Sequence, residues 1–187
     1  MRRMIPNSNE LKAKMMTVFG TLILLAASAR AQESTRTIIV SIPDRKLALV
    51  EDGEVKKIYP VAVGKESTPS PAGEFEIVNR LTNPTYYKPG TVVAPGASNP
   101  LGTRWIGLNQ KGYGIHGTNA PKSIGKAASH GCIRMAKKDL EELFTLVKVG
   151  DKVQIRSEKD DEMAKIFGGT AAPTVLAQAQ TSQTVGQ

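Results

Sequence analysis

Gly114 to Met135 reads G-I-H-G-T-N-A-P-K-S-I-G-K-A-A-S-H-G-C-I-R-M and holds Cys132, His116 and His130, the single cysteine and both histidines of the 187-residue chain. A thiol is a strong nucleophile as thiolate, and a nearby imidazole or imidazolium is one way to favour that form at neutral pH. The cluster therefore reads as a Cys/His acyl-transfer site, in which His116 takes the proton of Cys132 and the sulfur attacks a carbonyl carbon. Gly131 has no side chain, so a substrate can approach the backbone beside the thiol. Backbone N–H groups at Gly131 and Cys132 are the expected oxyanion donors. The segment after Met135 is patterned as a helix, so Cys132 is expected near a helix N-terminus, where the dipole favours thiolate.

Two other chemistries compete for the same residues. A lone cysteine between Gly131 and Ile133 can be a small buried hydrophobe. Cys132, His116 and His130 are also three good zinc ligands, but no C-x-x-C or H-E-x-x-H pattern supplies the usual paired ligands. Neither a metal nor an organic cofactor is expected. His130 is the second candidate for the base. Ser129 and His130 are expected to shape the pocket or touch substrate. Arg134 either holds a substrate carboxylate through its planar fork or pairs with a surface acid.

These residues need strands to carry them. Thr37–Ile42 and Lys46–Val50 are short β-branched or alternating runs separated by Pro43-Asp44, and Asp52-Gly53 is a hairpin signal before Val55–Val63. An antiparallel meander is expected there. Thr68-Pro69-Ser70-Pro71 is too proline-rich for a central strand and reads as a rigid connector before Glu74–Val78. Residues 79–99 are rich in Asn, Pro, Gly and Tyr, and are expected to form a long irregular loop of the kind used as a lid or substrate wall. Arg104–Leu108 and Tyr113–His116 read as strands, with alternation turning Ile115 inward and His116 toward a cleft. The sixteen residues from His116 to Cys132 (132 − 116 = 16) are ample for a loop that returns to the histidine. Leu140, Leu143, Phe144 and Val147 fall at i, i+3, i+4 and i+7, the stripe of a helix packed on the sheet. Lys152–Arg156 closes the domain as a strand.

H-G-T at 116–118 followed by S-H-G-C-I-R-M at 129–135 resembles the signature of the L,D-transpeptidase (YkuD-type) family of cell-wall cross-linking enzymes. T-P-S-P-A-G-E-F at 68–75 and N-P-L-G-T-R-W-I-G-L at 99–108 resemble stretches that precede it in that family. The resemblance covers about Arg36 to Arg156. It implies a mainly β (α+β) fold, a single YkuD-like β-sandwich or β-rich catalytic domain with a helix after the catalytic cysteine. It implies Cys132 as nucleophile, His116 as general base and acid, and a backbone carbonyl close to Gly117 that orients His116. It further implies that the 79–99 region lies over the cleft. The substrate class that the resemblance implies is a peptidoglycan stem tetrapeptide, cleaved before its terminal D-Ala and passed to an amine of another stem, with a lipoprotein lysine or water as alternative acceptors. Many members carry Asn where this chain has Arg134, which bears on the acceptor or subclass.

The chain opens with Arg2, Arg3, Lys12 and Lys14, runs through the apolar stretch 15–27 and reaches Ala29-Arg30-Ala31, the three parts of a secretory signal peptide over 1–31. The apolar run is too short for a comfortable membrane span, which needs about 20 residues. An exported protein of the periplasm or cell wall is expected, with a retained N-terminal anchor as the alternative. A lone thiol in an oxidising compartment is then buried, paired with another chain, or used. The catalytic domain is expected over 36–157. Residues 158–187 are charged and then rich in Ala, Gln and Thr, so a disordered low-complexity tail is expected, with at most one turn at Met163–Phe167. The formal charge of +8 suits an acidic polymer, while no basic, aromatic-interleaved motif points to nucleic acid. A non-catalytic wall-binding module is the remaining alternative.

Overall fold

Three apolar runs open the described part of the chain, residues 35–168 of a computed structural model, and each becomes a strand: β1 (Arg36–Ser41), β2 (Lys46–Glu51) and β3 (Glu54–Gly64). They pair antiparallel in sequence order, as expected of a meander. Asp52 and Gly53 turn β2 into β3 with φ of 53° and 79°, the left-handed pair that a tight hairpin of this hand requires. The chain continues through β4 (Gly73–Thr82), β5 (Tyr86–Lys88), β6 (Thr91–Val93), β7 (Arg104–Leu108) and β8 (Gly114–His116). After a 3-10 turn at Pro121–Ser123 come β9 (Ala127–Ser129), β10 (Ile133–Met135), helix α1 (Lys137–Leu146), β11 (Lys152–Arg156) and helix α2 (Asp161–Phe167).

The sheet runs β10-β8-β7-β4-β11-β1-β2-β3-β9, and β10 also pairs with β3, so all but β9 form a closed ring. A ring of about eight strands leaves an interior just wide enough for side chains to fill. Ile38, Leu47, Val61, Ile77, Ile106, Ile115, Ile133 and Ile155 fill it, joined by Leu140, Leu143 and Val147 from the α1 end of the chain. The fold is mainly β with a helix after the cysteine loop, as the resemblance implied. Burying each such aliphatic side chain is worth about 1.5–3 kcal/mol. Phe144, the fourth residue of the helical stripe, packs on the rim of this core and carries the Arg80 guanidinium 4.1 Å from its ring centroid.

Two expectations are corrected. Residues 79–99 are not a structureless loop: β4 continues through a bulge near Val78 to Thr82, and β5 and β6 then pair as a separate two-stranded hairpin. The proline and glycine residues that suggested a loop mark its turn, where Gly90 has a φ of 73°. Within 158–187, expected to hold at most one turn, Asp161–Phe167 is helical. The Asp160 side chain caps it by accepting from Met163 N at 2.8 Å, and Met163, Ile166 and Phe167 bury against Ile39, Ala48 and Val50 on the outer face of β1 and β2. A signal for this was present, because continuous apolar runs in β1 and β2 mean that both faces are covered. The expected signal peptide and residues 169–187 lie outside the described residues. Among the described residues, no helix is long and apolar enough to cross a membrane.

Candidate active site

Strand register assembles the site. Ile106, Ile115 and Ile133 stand side by side across β7, β8 and β10 and point into the core. The alternate positions therefore face the other way: Trp105 opposite His116, and His116 opposite Arg134. Cys132, one residue before Ile133, takes the next place on that face, diagonal to His116, with backbone positions on the order of 7–8 Å apart. All four residues line a cavity of about 440 Å³, together with Ser129, His130 and the hairpin tyrosines Tyr86 and Tyr87. Tyr87 is 74% exposed, so it is an open wall of the cleft and does not pack the segment down.

The histidine is fixed on several sides. Its Nδ1 lies 2.7 Å from Gly117 O. A carbonyl can only accept, so Nδ1 of the neutral ring carries the proton and Nε2 keeps the lone pair. Trp105 stacks on the imidazole with centroids 5.7 Å apart and planes at 23°, and Asn79 Oδ1 accepts from Trp105 Nε1 at 3.1 Å. Burial pushes the imidazole down to about 4, with the Arg134 charge acting in the same direction and the Gly117 and Pro100 carbonyls opposing it. Burial likewise pushes the Cys132 thiol up, against the Gly114 backbone and Arg134, which favour the thiolate. The resting pair is therefore a neutral thiol and a neutral imidazole. The thiol donates to Gly112 O at 3.5 Å.

This corrects the expected thiolate. Cys132 does not sit at a helix N-terminus: β10 lies between it and the start of α1 at Lys137, and a helix field falls off within its first turn. The oxyanion role expected of Gly131 is also corrected, because its N–H is spent on Ser129 Oγ at 3.0 Å. Gly131 instead serves the turn, with a φ of 113° and a position where a Cβ would come within 2.7 Å of the Tyr113 ring. Ser129 is 1% exposed, and its hydroxyl donates to Cys132 O at 2.6 Å. Its side chain braces the cysteine loop from within and has no donor left for substrate. The Cys132 N–H is the remaining expected oxyanion donor.

His130 is exposed at the rim of the cavity and Arg134 is half-buried in its wall. Arg134 makes no ion pair with a described acid, so its fork is open toward the cleft. No Asp or Glu occurs between Glu76 and Asp139, and this acid-free stretch supplies most of the cavity lining. Among the described residues, Arg134 is the one Arg or Lys in the lining, and no Asp or Glu shares it. Clefts lined by one sign of charge concentrate ligands of the other.

The proline-rich connector, to which no site role was expected, holds the loop from the far side. Ser70 Oγ accepts from Gly64 N at 2.9 Å and Thr68 Oγ1 donates to Ser129 O at 3.3 Å. The return loop from His116 is pinned as β9 runs parallel to the end of β3. Trp105 and Asn99 were also missed as site residues. The single tryptophan inside a strand motif leading to His116 was the available signal for the first; nothing marked the second.

A closed, mainly β sheet carrying a half-buried cysteine beside a buried histidine at one cleft defines the class. The family model described as the YkuD L,D-transpeptidase catalytic domain matches residues 35–155, and the chain belongs to that family. A Bacillus licheniformis protein named L,D-transpeptidase YkuD is 47% identical over 118 residues, covering 63% of this chain and 64% of that one. An Escherichia coli protein named L,D-transpeptidase ErfK/SrfK is 31% identical over 134 residues, covering 63% of this chain and 43% of its own. The chain thus spans under two thirds of the length of these relatives. Among solved structures, an L,D-transpeptidase of Enterococcus faecium superposes with a TM-score of 0.56 at 28% identity, covering 66% of this chain and 50% of that one. An L,D-transpeptidase of Mycobacterium tuberculosis gives 0.58 at 18% identity, over 66% and 58%, a likeness of fold.

Proposed function

We propose that this protein is an exported peptidoglycan L,D-transpeptidase of the periplasm or cell wall. His116 Nε2 takes the Cys132 proton as the sulfur attacks the carbonyl carbon before the terminal D-Ala of a stem tetrapeptide. The Cys132 N–H stabilises the oxyanion, and the proton on His116 passes to the leaving amine as the C–N bond breaks. The thioester is resolved when an amine of a second stem attacks it, giving its proton to His116, which returns it to the departing thiolate. Arg134 holds a carboxylate of the donor, and His130 lines the rim.

The observation that carries this reading is the placement of Cys132 and His116 on one face of adjacent strands, with Nδ1 committed to Gly117 O and the lone pair left on Nε2. A neutral base poised beside a protonated nucleophile suits general-base attack, in which charge develops only as the bond forms. The acid-free cleft and unpaired Arg134 support a carboxylate-bearing substrate. Membership of the family supports the wall substrate, and the basic-apolar-A-x-A opening of the chain supports export.

The test is intact-protein mass spectrometry of the chain incubated with a carbapenem, an acylating β-lactam, with Cys132→Ala alongside. An adduct on wild type alone supports a Cys132 acyl-enzyme, and a stem tetrapeptide with and without an amine acceptor then separates cross-linking from carboxypeptidase release and from lipoprotein attachment. A folded wild type that takes no adduct from carbapenem or tetrapeptide, yet binds sacculi, would overturn the reading in favour of a wall-binding module.

A further inference from the structure

The β5–β6 hairpin that walls the cleft is not part of the main sheet, and a two-stranded hairpin is marginal by itself in water. Its Tyr87 and Val92 are 74% and 67% exposed, so apolar burial does little to hold it. What reaches it is Asn99, whose side chain is fully buried. Asn99 Nδ2 lies 2.8 Å from Pro84 O, 3.1 Å from Val93 O and 3.2 Å from Ala94 O, the carbonyls at the base of the hairpin on both sides. An amide has two donors, and here both are directed at the hairpin.

The other end of the same amide leads to the histidine. Leu101 N donates to Asn99 Oδ1 at 2.8 Å. Leu101 O accepts from Gly117 N at 2.8 Å, and Gly117 O holds His116 Nδ1 at 2.7 Å. The backbone on this route is packed in contact: a Cβ on Gly117 would lie 3.0 Å from Gly102 Cα and 3.0 Å from Leu101 O. The Pro100 carbonyl also acts on the imidazole. A continuous chain of hydrogen bonds thus runs from the tyrosine wall to the nitrogen that sets the tautomer of the base.

We infer that Asn99 is a positioning residue that couples the hairpin wall of the cleft to the His116 imidazole, so that the wall and the base hold one geometry. The inference rests on the acyl-transfer reading only for what the imidazole then does. A ligand that displaces the hairpin shifts the strand of hydrogen bonds that orients Nε2, and a well-seated ligand secures it. Asn99 touches neither the thiol nor the space above it, and it acts through Leu101 and Gly117.

The tautomer of His116 can be read directly, because the chain has two histidines and the other, His130, is exposed. In 15N-labelled wild type, His116 is expected to show a single neutral tautomer protonated at Nδ1. Asn99→Asp keeps the acceptor for Leu101 N but sets a carboxylate against three carbonyl oxygens, so the hairpin amides should lose protection while the His116 signature stays. Asn99→Ala removes both arms, and the single-tautomer signature should be lost with His130 unchanged. The rate of Cys132 alkylation by iodoacetamide should then fall on the order of 100-fold, as misplacement by about an ångström costs elsewhere. A folded Asn99→Ala protein with wild-type His116 signature and alkylation rate overturns the inference. Should that variant not fold, amide exchange of the wild type decides: opening of Leu101 and Gly117 together with the β5–β6 amides is expected, and independent opening overturns it. None of these readouts needs transpeptidation, so an inert acyl-transfer assay leaves them standing, and an unmoved tautomer leaves acyl transfer standing.

Discussion

Replacing His116 by Asn should remove a specific part of the acid sensitivity of this fold. The imidazole is 6% exposed and is pushed down to about 4, chiefly by burial, whereas an exposed histidine titrates near 6.5 (about 6.5). Between those values the unfolded chain binds a proton that the folded chain refuses, so stability rises with pH through this window and the cost is complete below it. Protonating the unfolded state then costs the fold about 3 kcal/mol at its limit, and about 2 kcal/mol more at pH ~4.5 than at pH ~7. Asn at 116 retains an N–H for Gly117 O but no titration. Urea melts of wild type and His116→Asn at the two pH values give four stabilities, and carboxylate contributions common to both proteins cancel in the difference between them. The wild-type-minus-variant difference should grow by about 2 kcal/mol in favour of the variant on going to the lower pH. A difference that is the same at both pH values would refute the claim that the base is buried neutral. The same shift places the acid limb of Cys132 alkylation near pH 4, well below that of an exposed histidine.

Phe167→Ala should lower stability by about 3–5 kcal/mol, as truncation of a buried aromatic does, measured in thermal or urea melts; a tail without structure would show no change. Ser129→Ala leaves Gly131 N and Cys132 O without the partner they share, costing about 1–3 kcal/mol. Its larger effect should be on the carbapenem acylation rate, because the loop loses its internal brace. Arg134→Met should raise the KM of a carboxylate-bearing donor by about 10- to 100-fold, the worth of a charge-assisted hydrogen bond, and should move the Cys132 thiol further up, since Arg134 favours the thiolate. Steady-state kinetics and the pH profile of alkylation check the two halves separately.

The sequence by itself determined the strands with strong local signals, the helix after the cysteine, and the Cys132–His116 pair to which the proposed acyl transfer is assigned. A single Cys and two His gathered within 17 positions leave little choice of nucleophile and base (His116 to Cys132 inclusive, 132 − 116 + 1 = 17). Alternation alone turned Ile115 inward and His116 outward, because neighbouring residues on a strand face opposite ways. Only the tertiary structure decided that Trp105, His116 and Arg134 stand in one row, since strand pairing across β7, β8 and β10 joins segments that no local pattern relates. Only it decided the state of the thiol: the helix that was expected to lower it begins beyond β10, and burial among neighbours distant in sequence raises it instead. The hydrogen-bond partners of Gly131, Ser129 and Asn99 were equally invisible, because a backbone donor carries no residue type and its availability depends on what folds against it. The helix at Asp161–Phe167 lay between these cases. Its own seven residues announce at most one turn, at Met163–Phe167, yet the two-sided apolar runs of β1 and β2 already required something to cover them.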